Sequence, residues 1–93
     1  MKGSATRKIE NGKLIRVDLE YDDKIKSAVI SGDFFLYPEE FLTTMEQCLV
    51  GASVRETNIH FKNRLENCIG RKRVQLVGFS TDDLAETVKE ALL

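Results

Sequence analysis

Apolar and polar side chains alternate from residue 13 to residue 21, and this alternation predicts a strand with one buried face. Turn signals lie on both sides of it, at Asn11-Gly12 and at Asp22-Asp23. The predicted buried set is Ile15, Val17, Leu19 and Tyr21, and the opposite set is Arg16, Asp18 and Glu20.

A second strand is predicted before this one, at residues 5–10. The two can form a hairpin through a two-residue turn at Asn11-Gly12, because such a turn needs positive φ at both central residues. That turn would place Arg7 opposite Arg16, which is a repulsive pair. We therefore expect the first strand to be short or bulged, with a loosely held start.

A third strand is predicted at residues 25–33, where Ala28, Val29 and Ile30 are contiguous. Apolar side chains at successive positions point to both faces of a strand. This pattern is typical of a strand that is covered on both sides or central in its sheet.

Three helices are predicted in the rest of the chain, because the apolar positions change to a spacing of three and four residues. The predicted starts are Pro38 at the first helical position with Glu39 and Glu40 in the first turn, the capping box Ser53-x-x-Glu56, and the capping box Ser80-x-x-Asp83 with the staple pair Phe79 and Leu84. The apolar stripes are Phe41, Leu42, Met45 and Leu49 before Gly51, then Phe61, Leu65, Cys68 and Ile69 before Gly70, and last Leu84, Val88, Ala91 and Leu92.

The order of these elements, strands first and helices afterwards, predicts an α+β fold. We expect a three-stranded antiparallel meander followed by three helices packed on the sheet. The chain has 93 residues, which is the size of one small domain, so residues 1–93 are expected to form a single domain.

Charge and hydropathy narrow the classes of partner. The chain has 14 Lys and Arg against 15 Asp and Glu, a net charge of -1, whereas a dedicated nucleic-acid binder is usually basic. Its apolar runs are too short to span a membrane, and no signal peptide is apparent at the start. The sequence therefore predicts a cytoplasmic protein without a nucleic-acid or membrane partner.

Catalytic and metal-binding patterns are not apparent. The single histidine, His60, has no ligand or triad partner at a useful spacing. Cys48 and Cys68 lack the spacing of a metal pair, and two cysteines do not make a disulfide scaffold. We interpret both as small core hydrophobes on helices. No catalytic residue and no metal site are predicted.

The segment at residues 31–38 is unusually apolar for a corner between a sheet and a helix. Phe34 and Phe35 are adjacent, so in an extended chain one ring enters the core while the other points outward. The segment is either a hydrophobic anchor or a partner-binding patch centred on an aromatic side chain, and both can hold. The candidate binding residues are Gly32, Asp33, Phe34, Phe35 and Tyr37.

Arg71, Lys72 and Arg73 form the one dense basic cluster of the sequence. Cations are favoured at a helix C-terminus, so the cluster can simply be a solvated helix end. Alternatively it faces an anion, such as a phosphate, a nucleotide or an acidic partner. The sequence leaves both interpretations open.

Three segments together resemble a known family. SGDFFLYPEE at residues 31–40 resembles the C-terminal accessory domain of lipoate-protein ligases, and two weaker matches are GKLIRVDLEYDDKI at 12–25 and VGFSTDDLAETVKEALL at 77–93. Lys13 and Gly32-Asp33-Phe34-Phe35 carry the pattern of that domain. None of the catalytic motif of the large domain is matched. The chain therefore resembles the free-standing small subunit of a bipartite, archaeal-type ligase.

This resemblance implies a function within a complex. It implies a heterodimer with the catalytic large subunit, which uses ATP, Mg and lipoate and modifies lipoyl-domain acceptor proteins. It implies that this chain alone binds no cofactor and is not catalytic by itself. Its expected role is to make the catalytic subunit competent for lipoyl-adenylate formation.

Two other classes of function fit a small α+β domain. One is a sulfur-acceptor or cluster-scaffold protein of the SufE/NifU type, which would need a reactive loop cysteine. The other is a generic interaction module with no connection to lipoylation.

Overall fold

The computed structural model describes residues 1–9 and 13–92. It confirms the α+β class, with a three-stranded antiparallel sheet followed by helices. A second ladder is formed by two short strands, one before the first helix and one between the last two helices. The elements are β1 (Lys2–Lys8), β2 (Leu14–Tyr21), β3 (Ile25–Gly32), β4 (Phe35–Tyr37), α1 (Phe41–Leu49), α2 (Asn58–Ile69), β5 (Gln75–Val77) and α3 (Thr81–Ala91).

Strand β2 is the centre of the meander, whose order is β1-β2-β3. The structure confirms the predicted alternation of this strand. Its apolar face is buried and its other face is largely open to solvent. The buried side chains are Ile15, Val17, Leu19 and Tyr21.

The register of the first hairpin differs from the prediction by one residue. Arg7 lies opposite Ile15, and Thr6 lies opposite Arg16, so the two arginines do not face each other. The Arg7 guanidinium instead pairs with Glu86 at 2.6 Å and Glu90 at 2.8 Å, both on α3. The Asn11-Gly12 turn lies outside the described residues.

The start of β1 is firmly paired, so the expectation of a loosely held start was wrong. The Met1 amino group donates to the Tyr21 carbonyl at 2.8 Å, and the Tyr21 N–H donates to the Met1 carbonyl at 2.9 Å. The β1–β2 ladder then continues from Lys2 to Lys8.

The expectation for β3 was also wrong, because β3 is an edge strand with one open face. Val29 is 54% exposed on that face. The edge is partly covered from the side: the Glu46 carboxylate accepts from the Ile30 N–H at 2.8 Å, and the Ile25 N–H donates to the Ala52 carbonyl at 2.9 Å. Such capping of edge N–H groups leaves fewer sites for unwanted strand pairing.

Two helices begin later than predicted. α1 starts at Phe41, and Pro38, Glu39 and Glu40 form the turn before it. α2 has Thr57 as its N-cap, whose hydroxyl accepts from the N–H of His60. The predicted Ser53 box is a separate turn.

Helix α3 begins as predicted. The Ser80 hydroxyl accepts from the Asp83 N–H, and the Asp83 carboxylate accepts from the Ser80 N–H at 3.0 Å, which is a complete capping box. Phe79 and Leu84 on either side of the cap are both buried. α1 and α3 contact the meander, and α2 packs on both of them.

The two cysteines form a disulfide, Cys48–Cys68, with a Cα–Cα distance of 6.4 Å. It joins α1 to α2, and both residues are half-buried rather than core. The interpretation of both as reduced core side chains was therefore wrong. Sequence spacing did not reveal the pair, because the two positions meet only when the helices pack against each other.

Candidate functional site

Strands β4 and β5 form an antiparallel ladder that the sequence pattern did not reveal. Phe35 pairs with Val77, and Tyr37 pairs with Gln75. Between them Leu36 points inward and is 6% exposed. Side chains alternate across a strand, so the four flanking side chains share the outward face. We call this surface the aromatic face: Phe35, Tyr37, Gln75 and Val77.

The aromatic face is open to solvent. Phe35 is 69% exposed and Tyr37 is 72% exposed, and Val77 beside them is 46% exposed. Large apolar side chains clustered at this exposure are typical of interaction surfaces. Of the predicted binding residues, Phe35 and Tyr37 are the two with accessible rings.

Phe34 has a different position from Phe35. Its ring packs on Phe79, with 4.5 Å between the ring centroids, and it is half-buried against the core. The expectation that one ring of the adjacent pair turns inward and the other outward is therefore confirmed. Phe34 therefore does not belong to the aromatic face.

Gly32 and Asp33 build the corner that leads into β4. The Asp33 N–H donates to the Leu14 carbonyl at 3.2 Å, and the Asp33 carboxylate accepts from the Leu14 N–H. Both bonds join the corner to the first residue of β2. The direction in which β4 leaves the meander is thus set by backbone groups that are themselves fixed in the sheet.

Lys13 lies at the Phe35 end of the ladder, where Val77 pairs with Phe35. A Cβ placed on Gly78, the residue after β5, would be 3.4 Å from the Cγ of Lys13. The aliphatic part of this lysine therefore runs alongside the chain as it leaves β5. The segments at 12–25 and 77–93, which both carry the family pattern, are therefore adjacent at this point.

Arg71, Lys72 and Arg73 lie between α2 and β5 and are all exposed. Their backbone is ordered by turn bonds, since the Val74 N–H donates to the Lys72 carbonyl at 3.0 Å. The Lys72 ammonium is 5.3 Å from the centroid of the Phe41 ring. Because Gln75 pairs with Tyr37, the basic cluster is at the Tyr37 end of the ladder.

A groove of about 400 Å³ adjoins the aromatic face. Its lining is mostly apolar and includes one carboxylate. The lining residues are Phe34, Phe35, Leu36, Glu39 and Leu42.

Other charged groups lie on the outer sheet face and at the turn after β2. A hydrogen bond from Lys26 lowers the pKa of Asp22, and the same contact raises the pKa of Lys26. A hydrogen bond to Asp18 raises the pKa of Arg16. These exposed pairs belong to the meander and not to the β4–β5 ladder.

Within residues 1–9 and 13–92, no group of three or more His, Cys, Asp or Glu is placed to hold a metal ion. No helix in the same part of the chain is long and apolar enough to cross a membrane. Cys48 and Cys68 are bonded to each other, so neither offers the free loop thiol that the sulfur-acceptor alternative requires.

Gln75 and Val77 were not among the predicted site residues. Nothing in the sequence at 74–77 indicated that this segment would pair with β4. The two strands are separated by α1 and α2, so their pairing depends on how those helices pack.

Comparison with known structures places this fold among the components of a lipoylation system. A solved structure of an archaeal lipoylation system from Thermoplasma acidophilum contains a bipartite lipoate protein ligase and its E2 lipoyl domain. A chain of that structure aligns with a TM-score of 0.75 and 31% identity, covering 95% of this chain and 94% of that chain.

A curated protein is also similar to this chain. Lipoate-protein ligase A subunit 2 of Thermoplasma acidophilum is 46% identical over 46 residues, which are 48% of this chain and 49% of that protein. The matched segment thus spans about half the length of that relative. No family model matches the sequence. The chain belongs to the family of accessory subunits of bipartite lipoate-protein ligases, and the resemblance read from its sequence is confirmed.

Proposed function

We propose that this chain docks on the catalytic subunit of a bipartite lipoate-protein ligase through its aromatic face, forming a heterodimer in the cytoplasm. Docking makes the catalytic subunit competent for lipoate activation. The observation that carries the proposal is the exposure of Phe35 and Tyr37, at 69% and 72%, on a chain of this family. Aromatic side chains at the centre of an interface commonly supply most of its binding energy.

The reaction of the complex has two steps. The lipoate carboxylate attacks ATP, with Mg present, to give lipoyl-adenylate and pyrophosphate. A lysine amine of a lipoyl-domain acceptor protein then attacks the adenylate and releases AMP. Lipoate, ATP and Mg are bound by the complex and not by this chain alone.

The accessory subunit has a physical role in the first step. An acyl-adenylate is readily hydrolysed, so the site that makes it must exclude water. A small domain that closes over the catalytic subunit can exclude water and complete the site. The docking surface must hold its position for this, and the packing of Phe34 on Phe79 anchors the chain just before Phe35.

The aromatic face can be tested by replacing its rings. Phe35→Ala and Tyr37→Ala are each expected to weaken binding to the purified catalytic subunit at least tenfold, or about 1.4 kcal/mol. Their thermal unfolding should stay close to that of the unaltered chain, since both rings are already exposed. Binding is measured by calorimetry and stability by circular dichroism.

Ile59→Ala is the matched control, because Ile59 is 68% exposed but lies on α2. It should bind normally. Phe34→Ala should lower the free energy of unfolding, by less than the roughly 3–5 kcal/mol of a fully buried phenylalanine. If Phe35→Ala and Tyr37→Ala bind as well as Ile59→Ala, docking does not use the aromatic face.

The activation role is tested with the two purified subunits. Mixed with lipoate, ATP, Mg and an acceptor lipoyl domain, the pair should form lipoyl-adenylate much faster than the catalytic subunit alone. If the catalytic subunit alone is as active as the pair, the proposed function fails.

A further inference from the structure

The groove beside the aromatic face combines apolar walls with one carboxylate. Its volume, about 400 Å³, is in the roughly 300–1,000 Å³ range of sites that receive a specific group. Phe35 belongs both to the groove and to the aromatic face. A protein that covers the Phe35 ring therefore also contacts one wall of this groove.

The carboxylate of the groove is that of Glu39. Glu39 lies in the turn between β4 and α1, where the Leu42 N–H donates to the Glu39 carbonyl at 3.1 Å and fixes the backbone. Its side chain is exposed. In the part of the chain that the structure describes, it takes part in no ion pair.

Docking would change the surroundings of this carboxylate. In the separate subunit water solvates Glu39, but a partner seated on Phe35 would displace part of that water. A carboxylate that loses water without gaining a cation is destabilised. Arg71, Lys72 and Arg73 of this chain form no ion pair with it either, within the described residues.

We propose that this groove receives a lysine or arginine side chain of the docked catalytic subunit. The aliphatic stem of that side chain packs on Phe35 and Leu42, and its cation pairs with Glu39. Lysine and arginine fit both parts of the groove, since each carries an apolar stem and a charged end. This inference rests on the proposed function, and it states the chemistry that the partner surface must present.

Glu40 offers a matched control for Glu39. It is the next residue, it is also exposed, and it carries the same charge. Glu40 is the N-cap residue of α1, but its side chain makes no capping hydrogen bond, and it does not line the groove. Neutralising Glu40 therefore changes the net charge of the subunit as much as neutralising Glu39, while leaving the groove intact.

The experiment compares Glu39→Gln, Glu39→Lys and Glu40→Gln in binding to the purified catalytic subunit at several salt concentrations. We expect Glu39→Gln to weaken binding about tenfold and Glu39→Lys about a hundredfold, because like charges at an interface repel. Glu40→Gln should bind within about twofold of the unaltered chain, since an exposed charge outside the contact contributes little. Salt should weaken binding of the unaltered chain more steeply than binding of Glu39→Gln.

The outcomes separate this inference from the function on which it rests. Glu39→Gln and Glu39→Lys could both bind as well as Glu40→Gln while Phe35→Ala binds weakly. The groove then receives no lysine or arginine of the catalytic subunit, but docking through the aromatic face is supported. If Phe35→Ala also binds normally, the docking surface itself is wrong. Thermal unfolding of each variant shows that a loss of binding is not a loss of fold.

Discussion

Gly32 is the residue on which the geometry of the docking surface depends most directly. Its φ is +149°, and a Cβ at this position would be 2.1 Å from the Leu14 carbonyl oxygen and 3.1 Å from the Phe34 Cδ1. Both neighbours are fixed, Leu14 by its bonds to Asp33 and Phe34 by its contact with Phe79. A side chain at residue 32 would therefore have to displace the sheet or the corner.

We expect Gly32→Ala to destabilise the fold by more than the roughly 1–3 kcal/mol of backbone strain alone, because a collision with backbone is added to the strained φ. Denaturant unfolding followed by circular dichroism measures the change. The control variant Gly51→Ala separates the strain of a positive φ from the collision with the Leu14 backbone. Gly51 also has a positive φ, of +91°, but a Cβ there would meet only the Arg64 Nη2, at 3.7 Å. Equal losses in the two variants would show that the close approach to Leu14 is unimportant.

At the scale of elements, the helix pair α1–α2 holds the two strands of the aromatic face together. β4 leads into α1, and β5 follows α2, so the ladder can form only when the helices are packed. Two sets of contacts fix the pair. Arg64 on α2 donates to the carbonyls of Cys48 and Val50, and the disulfide Cys48–Cys68 joins the helices covalently.

Removing the disulfide should destabilise the chain without abolishing docking. The crosslinked residues are 20 positions apart, and a loop of about this length corresponds to roughly 3 kcal/mol in the chain-entropy account. The double variant Cys48→Ser and Cys68→Ser should therefore unfold at a lower denaturant concentration, yet still bind the catalytic subunit when folded. Retained binding also distinguishes a ligase subunit from a sulfur carrier, which would lose its function.

A reducing agent provides the control for this prediction. It should lower the unfolding midpoint of the unaltered chain and leave that of the double variant unchanged. Two free thiols in a titration of the unfolded, unreduced chain would contradict the crosslink.

Elements set by local signals were predictable from the sequence, and those set by distant contacts were not. The alternation of β2 and the capping box of α3 each depend on neighbours within a few residues, and both were predicted correctly. In the observed register of β1, by contrast, Arg7 is paired with Glu86 and Glu90 of α3, at the other end of the chain. Likewise, the contiguous apolar residues 28–30 did not make β3 a central strand. A sheet can leave a single apolar side chain exposed, as it does with Val29.

The same distinction applies to the candidate site. The opposite directions of Phe34 and Phe35 follow from the geometry of an extended chain, so the sequence predicted them. Val77 and the groove at Glu39 depend on the pairing of β4 with β5 across the helix pair. No local signal predicts a contact over that separation, which is why half of the aromatic face was missed.

At the scale of the whole molecule, charge is nearly balanced but unevenly placed. The net charge is -1, yet three consecutive basic residues extend into solvent at the Tyr37 end of the ladder. Lys72 is partly engaged by the Phe41 ring at 5.3 Å. The two interpretations of this cluster, a solvated helix end and an anion-facing loop, make different predictions for the assembled enzyme.

Replacing Arg71, Lys72 and Arg73 together with glutamine should change docking and adenylate formation by no more than about twofold, since exposed single charges are strongly screened by water and salt. The measurements are binding to the catalytic subunit and the rate of lipoyl-adenylate formation by the saturated pair. Loss of adenylate formation with docking intact would instead support contact of the cluster with a phosphate in the complex. Loss of docking alone would indicate an acidic region on the catalytic subunit, beside the aromatic face, and would extend the interface beyond Tyr37 to the start of β5.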